Sequence, residues 1–255
     1  MPDKTDLKTL LTLDDFPKAN AYDPRWVLSN LMGPNVLWLT EALSNEMRLE
    51  PGMRVLDMGC GKAISSIFLA KEFGVQVWAA DLWIDPNENW QRIKEAGCED
   101  SVFPIRAEAH ELPFATEFFD AAISMDAYHY FGTSDAYLPY YLKFLKPGAE
   151  LGIIVPGLTQ EFNTVPEHLR DYWEPDMWTF HSPAWWKNHW ARTDLVEVTL
   201  ADRLKDGWQQ WLLWEQVGRD FEYGFYDKEL EALEKDRGEH LGFTRVIGRK
   251  LQKEV

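Results

Sequence analysis

The chain has 255 residues, enough for one domain with a substantial hydrophobic core, and it carries a formal net charge of −16. A protein that binds nucleic acid or an anionic membrane surface needs a basic face, so this acidic balance argues against both partners. The two cysteines, Cys60 and Cys98, provide neither a disulfide framework nor a cysteine-rich metal site, and no metal site is predicted.

The first 50 residues have amphipathic helical spacing, interrupted by the Pro/Gly-containing stretch LMGPN at 31–35. The N-terminus lacks the basic-then-apolar pattern of a signal peptide, and no apolar run in the chain is long enough to span a bilayer. We therefore expect a cytoplasmic protein that does not bind a membrane.

Short apolar strands alternate with helices from residue 51 onward. The predicted strands are MRVLDMG, VQVWAAD, VFPIRAE, FFDAAISMD and AELGIIVP, and the helices between them are KAISSIFLAKEFG, NENWQRIKEAG and AYLPYYLKFL, the last closed by Lys146-Pro147-Gly148. Gly74 marks the end of the first of these helices. Because the strands are apolar throughout, they predict a parallel sheet covered by helices on both faces. Two further strands are predicted at 195–204 and 242–251, with a helical stretch between them.

The stretch VLDMGCGKAISSIFLA (55–70) places two glycines between the first strand and the helix that follows it. Gly59 and Gly61 let the backbone turn sharply and approach a ligand, since a Cβ atom there would obstruct it. The dinucleotide fingerprint G-x-G-x-x-G requires glycine where this chain has Ile64, and the Gly-Lys-Ser/Thr of a P-loop is absent. The loop therefore predicts a site for a nucleoside without a polyphosphate.

The residues from Asp57 to Ala63, DMGCGKA, resemble the first motif of the class I S-adenosylmethionine-dependent methyltransferases, with Ala63 in the place of the last glycine. Three further segments resemble the family in the same order, namely the strand ending at Asp81, RAEAHELPF at 106–114 and FFDAAISMDAYHYFG at 118–132. LKPGAELGIIVP completes the pattern. The segments around the first and fourth strands also resemble relatives near the cyclopropane-fatty-acid synthases.

The resemblance implies a Rossmann-like, doubly wound α/β fold: a seven-stranded sheet, mostly parallel with the last strand antiparallel, with helices on both faces and a helical cap. It implies that residues 1–50 form an N-terminal helical segment closing over the site. Residues 51–255 would form the methyltransferase domain, with cap insertions at about 157–190 and 205–240. The implied cofactor is S-adenosyl-L-methionine, and the product formed from it is S-adenosyl-L-homocysteine.

The family's site positions transfer to this chain residue by residue. Asp81 would accept hydrogen bonds from both ribose hydroxyls, and Glu108, standing in for an aspartate, would contact the adenine amino group. His129 and Tyr130 would lie beside the reacting methyl group as base or orienting residue. The implied cofactor contacts are Asp57, Gly59, Gly61, Asp81, Leu82, Glu108, Ala109 and Asp126, and the implied substrate pocket is Tyr22, Trp26, Tyr128 and His181.

Several alternatives stay open at this point. His129 could pack against the following helix, and Asp126 could cap it. Trp208, Trp211 and Trp214 follow one helix face, which predicts packing on the sheet, with one or two of the late tryptophans reaching the pocket.

The implied function is methyl transfer to a small-molecule N, O or S nucleophile by in-line displacement, with no nucleic acid partner. Alkylation of a lipid, as by the cyclopropane-fatty-acid synthases, and a non-catalytic cofactor-binding protein are the alternatives. The sequence leaves homo-oligomerisation open.

Overall fold

The computed structural model describes residues 4–224 and 226–252; residues 1–3, 225 and 253–255, which belong to the predicted segments 1–50 and 51–255, lie outside the described residues. The helices are α1 (Lys4–Leu10), α2 (Pro24–Ser29), α3 (Val36–Ser44), α4 (Ile64–Phe73), α5 (Pro86–Glu95), α6 (Tyr137–Tyr141), α7 (Pro183–Ala191), α8 (Gly207–Asp220) and α9 (Asp227–Asp236). The strands are β1 (Arg54–Met58), β2 (Gln76–Asp81), β3 (Val102–Arg106), β4 (Phe119–Met125), β5 (Leu145–Leu158), β6 (Val196–Arg203) and β7 (Leu241–Lys250). Within the described ranges, no helix is both long and apolar enough to cross a membrane.

The strands form one sheet in the order β3-β2-β1-β4-β5-β7-β6. The pairs from β3 to β5 are parallel, and β7 runs antiparallel to both β5 and β6. The predicted Rossmann-like sheet, mostly parallel with an antiparallel last strand, is confirmed. Because the strand order reverses between β1 and β4, the carboxyl ends of these two strands border a crevice.

Adjacent residues of β1 face opposite layers, since side chains alternate along a strand. Val55 packs into one apolar cluster with residues of α3, α4 and α8, and Leu56 packs into a second cluster with residues of α6 and α7. Both side chains are fully buried. Burial on both faces explains why the adjacent residues Val55 and Leu56 are both apolar.

The first predicted helix after the glycine loop forms as α4 and ends where Gly74 predicted. α4 ends at Phe73, and Gly74 adopts the left-handed conformation with φ 67° while its N–H donates to the Ala70 carbonyl. The N-terminal segment contains α1 to α3, and α3 is capped by Asn35, whose side chain accepts hydrogen bonds from the N–H groups of Leu37 and Trp38. The Pro/Gly stretch before Asn35 therefore connects two helices, as the sequence indicated.

One local expectation is corrected. Lys146 to Gly148 do not form a turn between a helix and a strand, because β5 already begins at Leu145, paired with Phe119 of β4. The pairing register then shifts between Phe119 and Ala121, and Gly148 has φ 80°. The Pro-Gly pair thus produces an irregularity inside the strand, a position where a bulge tolerates both residues.

The elements above the carboxyl end of β4 come from the later part of the chain. α8 packs on β7, α9 packs on α8, and the short 3-10 helix Pro175–Thr179 contacts the 3-10 helix Tyr128–Tyr130 that follows β4. Residues 183–190 of the expected insertion at 157–190 are in α7, which packs on β6. This part of the insertion therefore lies on the sheet.

Asp236 ties the end of α9 to the start of β7. Its Oδ2 accepts hydrogen bonds from the N–H groups of His240 (2.9 Å) and Leu241 (2.8 Å), and Oδ1 lies 3.0 Å from Nε2 of His168 and 2.9 Å from Nδ1 of His240. Burial alone would raise the pKa of this carboxyl, but the hydrogen bonds outweigh burial and hold the pKa below its ordinary value.

We expect Asp236→Ala to lower the free energy of unfolding at pH 7 by about 1.5–3 kcal/mol, the range for losing hydrogen bonds to a charged group. Because the folded-state pKa is depressed, this contribution is complete above the ordinary aspartate pKa and is lost as the pH falls through the folded-state value. Urea unfolding at pH 7 and at lower pH measures both effects. Glu234→Ala, an exposed site on the same helix, is the control, and equal midpoints for the two variants would contradict the assignment.

Candidate functional site

A cavity of about 330 Å³ opens at the carboxyl ends of β1, β2 and β4. Its volume lies in the range of roughly 300–1,000 Å³ that small-molecule sites occupy. The walls come from the segments that follow β1, β2, β3 and β4, from residues 30–34 between α2 and α3, and from Trp214 of α8. Residues 30–34 and Trp214 thus form walls of the crevice predicted by the strand order.

The glycine loop after β1 approaches two other segments closely. Gly59 has φ 75°, and a Cβ atom built on it would lie 2.3 Å from Cβ of Ala127. Gly61 has φ 53°, and its Cβ would lie 2.9 Å from Sδ of Met32. Backbone conformation favours glycine at both positions, and the neighbouring Ala127 leaves no space for a Cβ atom at position 59, whereas position 61 faces the flexible Met32 side chain. Both glycines line the cavity.

Cys60 lies between these glycines and is buried. Burial raises the pKa of its thiol well above the ordinary value, and the charges of Asp57 and Asp81 add to the shift. The thiol stays protonated at neutral pH, so it fills the turn as a small side chain and is a poor nucleophile.

Asp57 is fully buried and does not line the cavity. Its Oδ2 accepts hydrogen bonds from the hydroxyls of Ser65 (2.7 Å) and Ser66 (2.6 Å) in the first turn of α4. Burial is the largest cause that raises the pKa of this carboxyl to about 6, and the two hydroxyls act against it. Asp57 therefore joins the end of β1 to α4 beneath the glycine loop.

Asp81 is the last residue of β2, and its carboxyl lines the cavity. Oδ2 accepts a hydrogen bond from the N–H of Gly61 (2.8 Å), and Oδ1 accepts hydrogen bonds from the N–H groups of Trp83 (2.8 Å) and Ile84 (3.0 Å). A carboxylate has about four acceptor sites, so Asp81 joins two loops through three hydrogen bonds and keeps capacity for about one further donor in the cavity.

The residues after β3 form the next part of the wall. Glu108 and Ala109 line the cavity, and Leu82 lines it from the turn after β2. The carboxyl of Glu108 accepts a hydrogen bond from the N–H of His110 (2.7 Å), and its other oxygen lies 2.9 Å from Nδ1 of that ring. The bond to the His110 side chain is the largest cause that lowers the pKa of Glu108, which therefore stays ionised at neutral pH.

Asp126 follows β4 in a left-handed conformation with φ 52°, and its N–H donates to the Ile154 carbonyl (2.9 Å). This conformation turns its side chain into the cavity, against Gly33, where a Cβ atom would lie 2.3 Å from Oδ2. Burial, with a smaller contribution from the charge of Glu215, raises the pKa of Asp126 to about 8. The carboxyl is thus held largely protonated at neutral pH.

The two predicted catalytic residues occupy different environments. Tyr130 lines the cavity and is half exposed. Its ring contacts the ring of Trp83 edge-on, with the two ring centroids 6.3 Å apart. His129 does not line the cavity; it is buried behind Tyr130 and packs against Phe180. Burial lowers the pKa of His129 to about 3, so the imidazole is neutral and weakly basic at neutral pH.

None of the residues predicted for the substrate pocket lines this cavity. Tyr128 is fully buried among rings that include Tyr141 and Trp186. Tyr22 and Trp26 line a separate hollow beside α4, where the Tyr22 hydroxyl donates to Glu72 (3.0 Å). His181 lies 3.0 Å from Glu161 and stacks on the ring of Trp185.

Sequence reasoning missed several residues that the fold brings to the cavity. Met32, Gly33 and Pro34 come from the stretch that was read as a helix break, and Trp83 follows the predicted strand end at Asp81. Trp214 donates its indole N–H to the Gly33 carbonyl (2.9 Å) and lines the cavity as well. The helix-face spacing of the tryptophans was the one signal available for Trp214, and the Pro/Gly content of 31–35 was the one available for Gly33.

Residues 55–148 match the family model described as a methyltransferase domain. Sterol methyltransferase-like 1 of Botryococcus braunii is 30% identical over 150 residues, which are 53% of this chain and 37% of that protein. Demethylmenaquinone methyltransferase of Listeria monocytogenes is 29% identical over 69% of this chain and 76% of its own. The structure of phosphoethanolamine N-methyltransferase 2 of Haemonchus contortus with S-adenosyl-L-methionine superposes with a TM-score of 0.71 at 18% identity, covering 96% of this chain and 60% of that one.

Proposed function

Because the chain belongs to the class I S-adenosylmethionine-dependent methyltransferases, we propose that it transfers the methyl group of this cofactor to a small-molecule nucleophile by in-line displacement. The observation that carries the proposal is the continuity of one cavity. It runs from Asp81 at the end of β2, past the glycine loop, to Asp126 and Tyr130 after β4. A nucleoside and an acceptor can therefore lie side by side in it.

The residues present suit the cofactor. Gly59 and Gly61 bring backbone without a side chain to the cavity wall, and Asp81, which already accepts three N–H groups, keeps acceptor capacity for about one ribose hydroxyl. Leu82 and Ala109 offer apolar surface for the adenine ring beside Glu108. We assign these residues to nucleoside binding and Asp57 to support of the loop.

The cofactor, when bound, supplies a methyl group on a positively charged sulfur that is a good leaving group. The protein's contribution is alignment and exclusion of water, which can account for much of the rate of such a displacement. The rings of Tyr130 and Trp83 contact each other at the edge of the cavity, and residues 32–34 of the N-terminal segment form part of its wall. In this proposal Tyr130 orients the acceptor, and His129 supports Tyr130 from behind.

The names of similar proteins do not select one acceptor. They include methyltransferases of a sterol, of demethylmenaquinone and of phosphoethanolamine. The chain spans little more than a third of the first of its curated relatives. The acceptor therefore has to be inferred from the residues of this chain.

Calorimetric titration with S-adenosylmethionine and S-adenosylhomocysteine tests the proposal directly. We expect one site for each, and no binding of NADH or ATP, because the loop lacks the third glycine and the Gly-Lys-Ser/Thr that their phosphates require. If neither sulfur nucleoside binds to folded protein, the proposal is wrong. If both bind and no acceptor in a broad screen is methylated, the non-catalytic alternative gains support. Methylation of phospholipid alkenes would favour the lipid alternative.

A further inference from the structure

Three carboxyl groups near the end of β4 interact electrostatically, and one of them, Asp126, lines the cavity. We call Asp126, Glu215 and Glu229 the acid cluster; they lie after β4, on α8 and on α9. Burial is the largest cause that raises the pKa of each, to about 8, 7 and 8 respectively. The charge of Glu215 acts on Asp126, and the charges of both act on Glu229. Asp126 lines the cavity, Glu215 directly follows the cavity-lining Trp214 on α8, and the N–H of Tyr226 just before α9 joins Glu215 to the helix that carries Glu229.

The acid cluster has unsatisfied acceptors. Glu215 is fully buried, and its Oε2 accepts a hydrogen bond from the N–H of Tyr226 (2.9 Å), whereas its Oε1 has no hydrogen-bond partner among the described residues. Oε2 of Glu229 is unpartnered in the same way. The indole N–H of Trp211 lies near both carboxyls and lowers their pKa, but it forms no hydrogen bond of ordinary geometry with either.

No cation of the described chain neutralises these acids. Of the ion pairs formed within residues 4–224 and 226–252, none includes Asp126, Glu215 or Glu229. Glu215 is fully buried, and a buried carboxylate without a cationic partner is costly. A ligand that brings a positive charge and N–H donors would satisfy them.

Aromatic side chains surround the same place. Trp214 precedes Glu215 on α8 and lines the cavity with Tyr130. The tyrosines Tyr130 and Tyr226 lie close enough for the charges of Asp126 and Glu229 to help raise their pKa, after burial as the main cause. The faces of such rings attract cations, so rings and carboxyls favour the same class of ligand.

We propose that the methyl acceptor is an amine, bound as an ammonium ion between the acid cluster and the rings of Tyr130 and Trp214. This inference rests on the proposed function, because it assigns the acceptor end of the same cavity. Glu215 supplies the free buried acceptor, and Asp126 is the carboxyl that reaches the cavity itself.

Protons, bonds and charge all balance in the proposed methyl transfer. The ammonium ion gives one proton to a carboxylate of the acid cluster, which leaves a lone pair on nitrogen. The nitrogen forms a bond to the methyl carbon while the carbon–sulfur bond breaks and its electron pair stays on sulfur. The positive charge passes from sulfur to nitrogen, so the methylated product is again a cation.

Binding of choline, compared with its neutral isostere 3,3-dimethylbutan-1-ol, tests the inference by calorimetry, with and without S-adenosylhomocysteine. Choline has no titrating proton and mimics a fully methylated product. We expect it to bind at least tenfold more tightly than the isostere. Its affinity should rise as the pH increases from 6 to 9, because the acid cluster ionises in this range. The other titratable groups facing the cluster are Asp176, Tyr130 and Tyr226.

Glu215→Gln should weaken choline binding at least tenfold and leave the affinity for S-adenosylhomocysteine unchanged. The variant should fold, since the glutamine oxygen can still accept the hydrogen bond from Tyr226 and the raised pKa already favours an uncharged side chain. Glu234→Gln, an exposed residue of α9, is the matched control and should behave as the wild type.

The failures of the two proposals are distinguishable. One result would overturn the amine proposal and leave the proposed methyltransferase function intact. In it, S-adenosylhomocysteine binds, while choline and benzyltrimethylammonium bind no more tightly than the neutral isostere or do not bind at all. If choline binds and neither sulfur nucleoside does, the proposed methyltransferase function is wrong. The amine would then be a ligand of the cavity and not a methyl acceptor. Tight binding of Ca²⁺ or Mg²⁺ that is lost in Glu215→Gln, with no ammonium binding, would make the cluster a metal site and contradict the inference.

Discussion

Gly59→Ala is expected to weaken binding of S-adenosylmethionine and S-adenosylhomocysteine more than tenfold and to lower the thermal midpoint of unfolding. Alanine at φ 75° costs about 1–2 kcal/mol for the left-handed backbone. The added Cβ would also lie 2.3 Å from Cβ of Ala127, and relief of such overpacking costs typically about 1–3 kcal/mol. The loops after β1 and β4 must then move apart, and both form walls of the cavity.

Gly52→Ala separates these two effects. Gly52 has φ 83°, similar to Gly59, but a Cβ atom there would have no neighbour within 4 Å. This control should lose stability and keep cofactor affinity. In the double variant with Ala127→Gly, the steric part of the Gly59→Ala defect should recover while the backbone part persists. Calorimetry and thermal unfolding of the four proteins measure both quantities. If Gly59→Ala binds the cofactor as Gly52→Ala does, the close approach of the loops is unimportant.

Asp81→Ala is expected to weaken binding of both sulfur nucleosides by about 1–3 kcal/mol, the range for removing a hydrogen-bonding charged group. The variant loses the acceptor for the ribose hydroxyls, and it also leaves the N–H groups of Gly61, Trp83 and Ile84 without their partner. The effect on affinity therefore combines a lost contact with a looser wall.

Asp85→Ala is the control for this loss. Asp85 is exposed, and its side chain caps α5 by accepting the N–H of Asn87 (2.7 Å). Removing this cap should cost about 1 kcal/mol of stability without changing cofactor affinity. Calorimetric titration of both variants, corrected for the folded fraction, measures the difference. Equal affinities for the wild type and Asp81→Ala would refute the assignment of the end of β2 to the ribose.

The residues that we assign to the nucleoside were accessible to sequence reasoning because each of them ends a recognisable strand or follows one within a few residues. Gly59, Asp81 and Ala109 all lie on the cavity for this reason. Reasoning of the same kind assigned Tyr128 to the substrate pocket and His129 to the side of the reacting methyl group, and neither residue lines the cavity. They lie in the 3-10 turn after β4, which points successive side chains in different directions, so Asp126, Ala127, Tyr130 and Phe131 line the cavity and these two residues do not.

The substrate pocket predicted from Tyr22, Trp26 and His181 shows a second reason why sequence reasoning misplaces site residues. Their positions relative to the cavity depend on how whole segments pack, and nothing in their local sequence records that packing. Tyr22 is held beside α4 by its hydrogen bond to Glu72. His181 is held by Glu161 and Trp185, away from the ends of the central strands.

The sequence by itself determined the order of strands and helices, the two buried faces of the sheet and the glycine loop. These depend on apolar periodicity and on backbone conformations that a few neighbouring residues specify. Only the tertiary structure decided the part of the cavity that we assign to the acceptor, where Trp214 meets Gly33, 181 residues away in the chain. Glu215 and Glu229 each look like ordinary charges on an amphipathic helix. Burial beside Asp126 makes them unusual, because desolvation and mutual repulsion act only once the helices have packed.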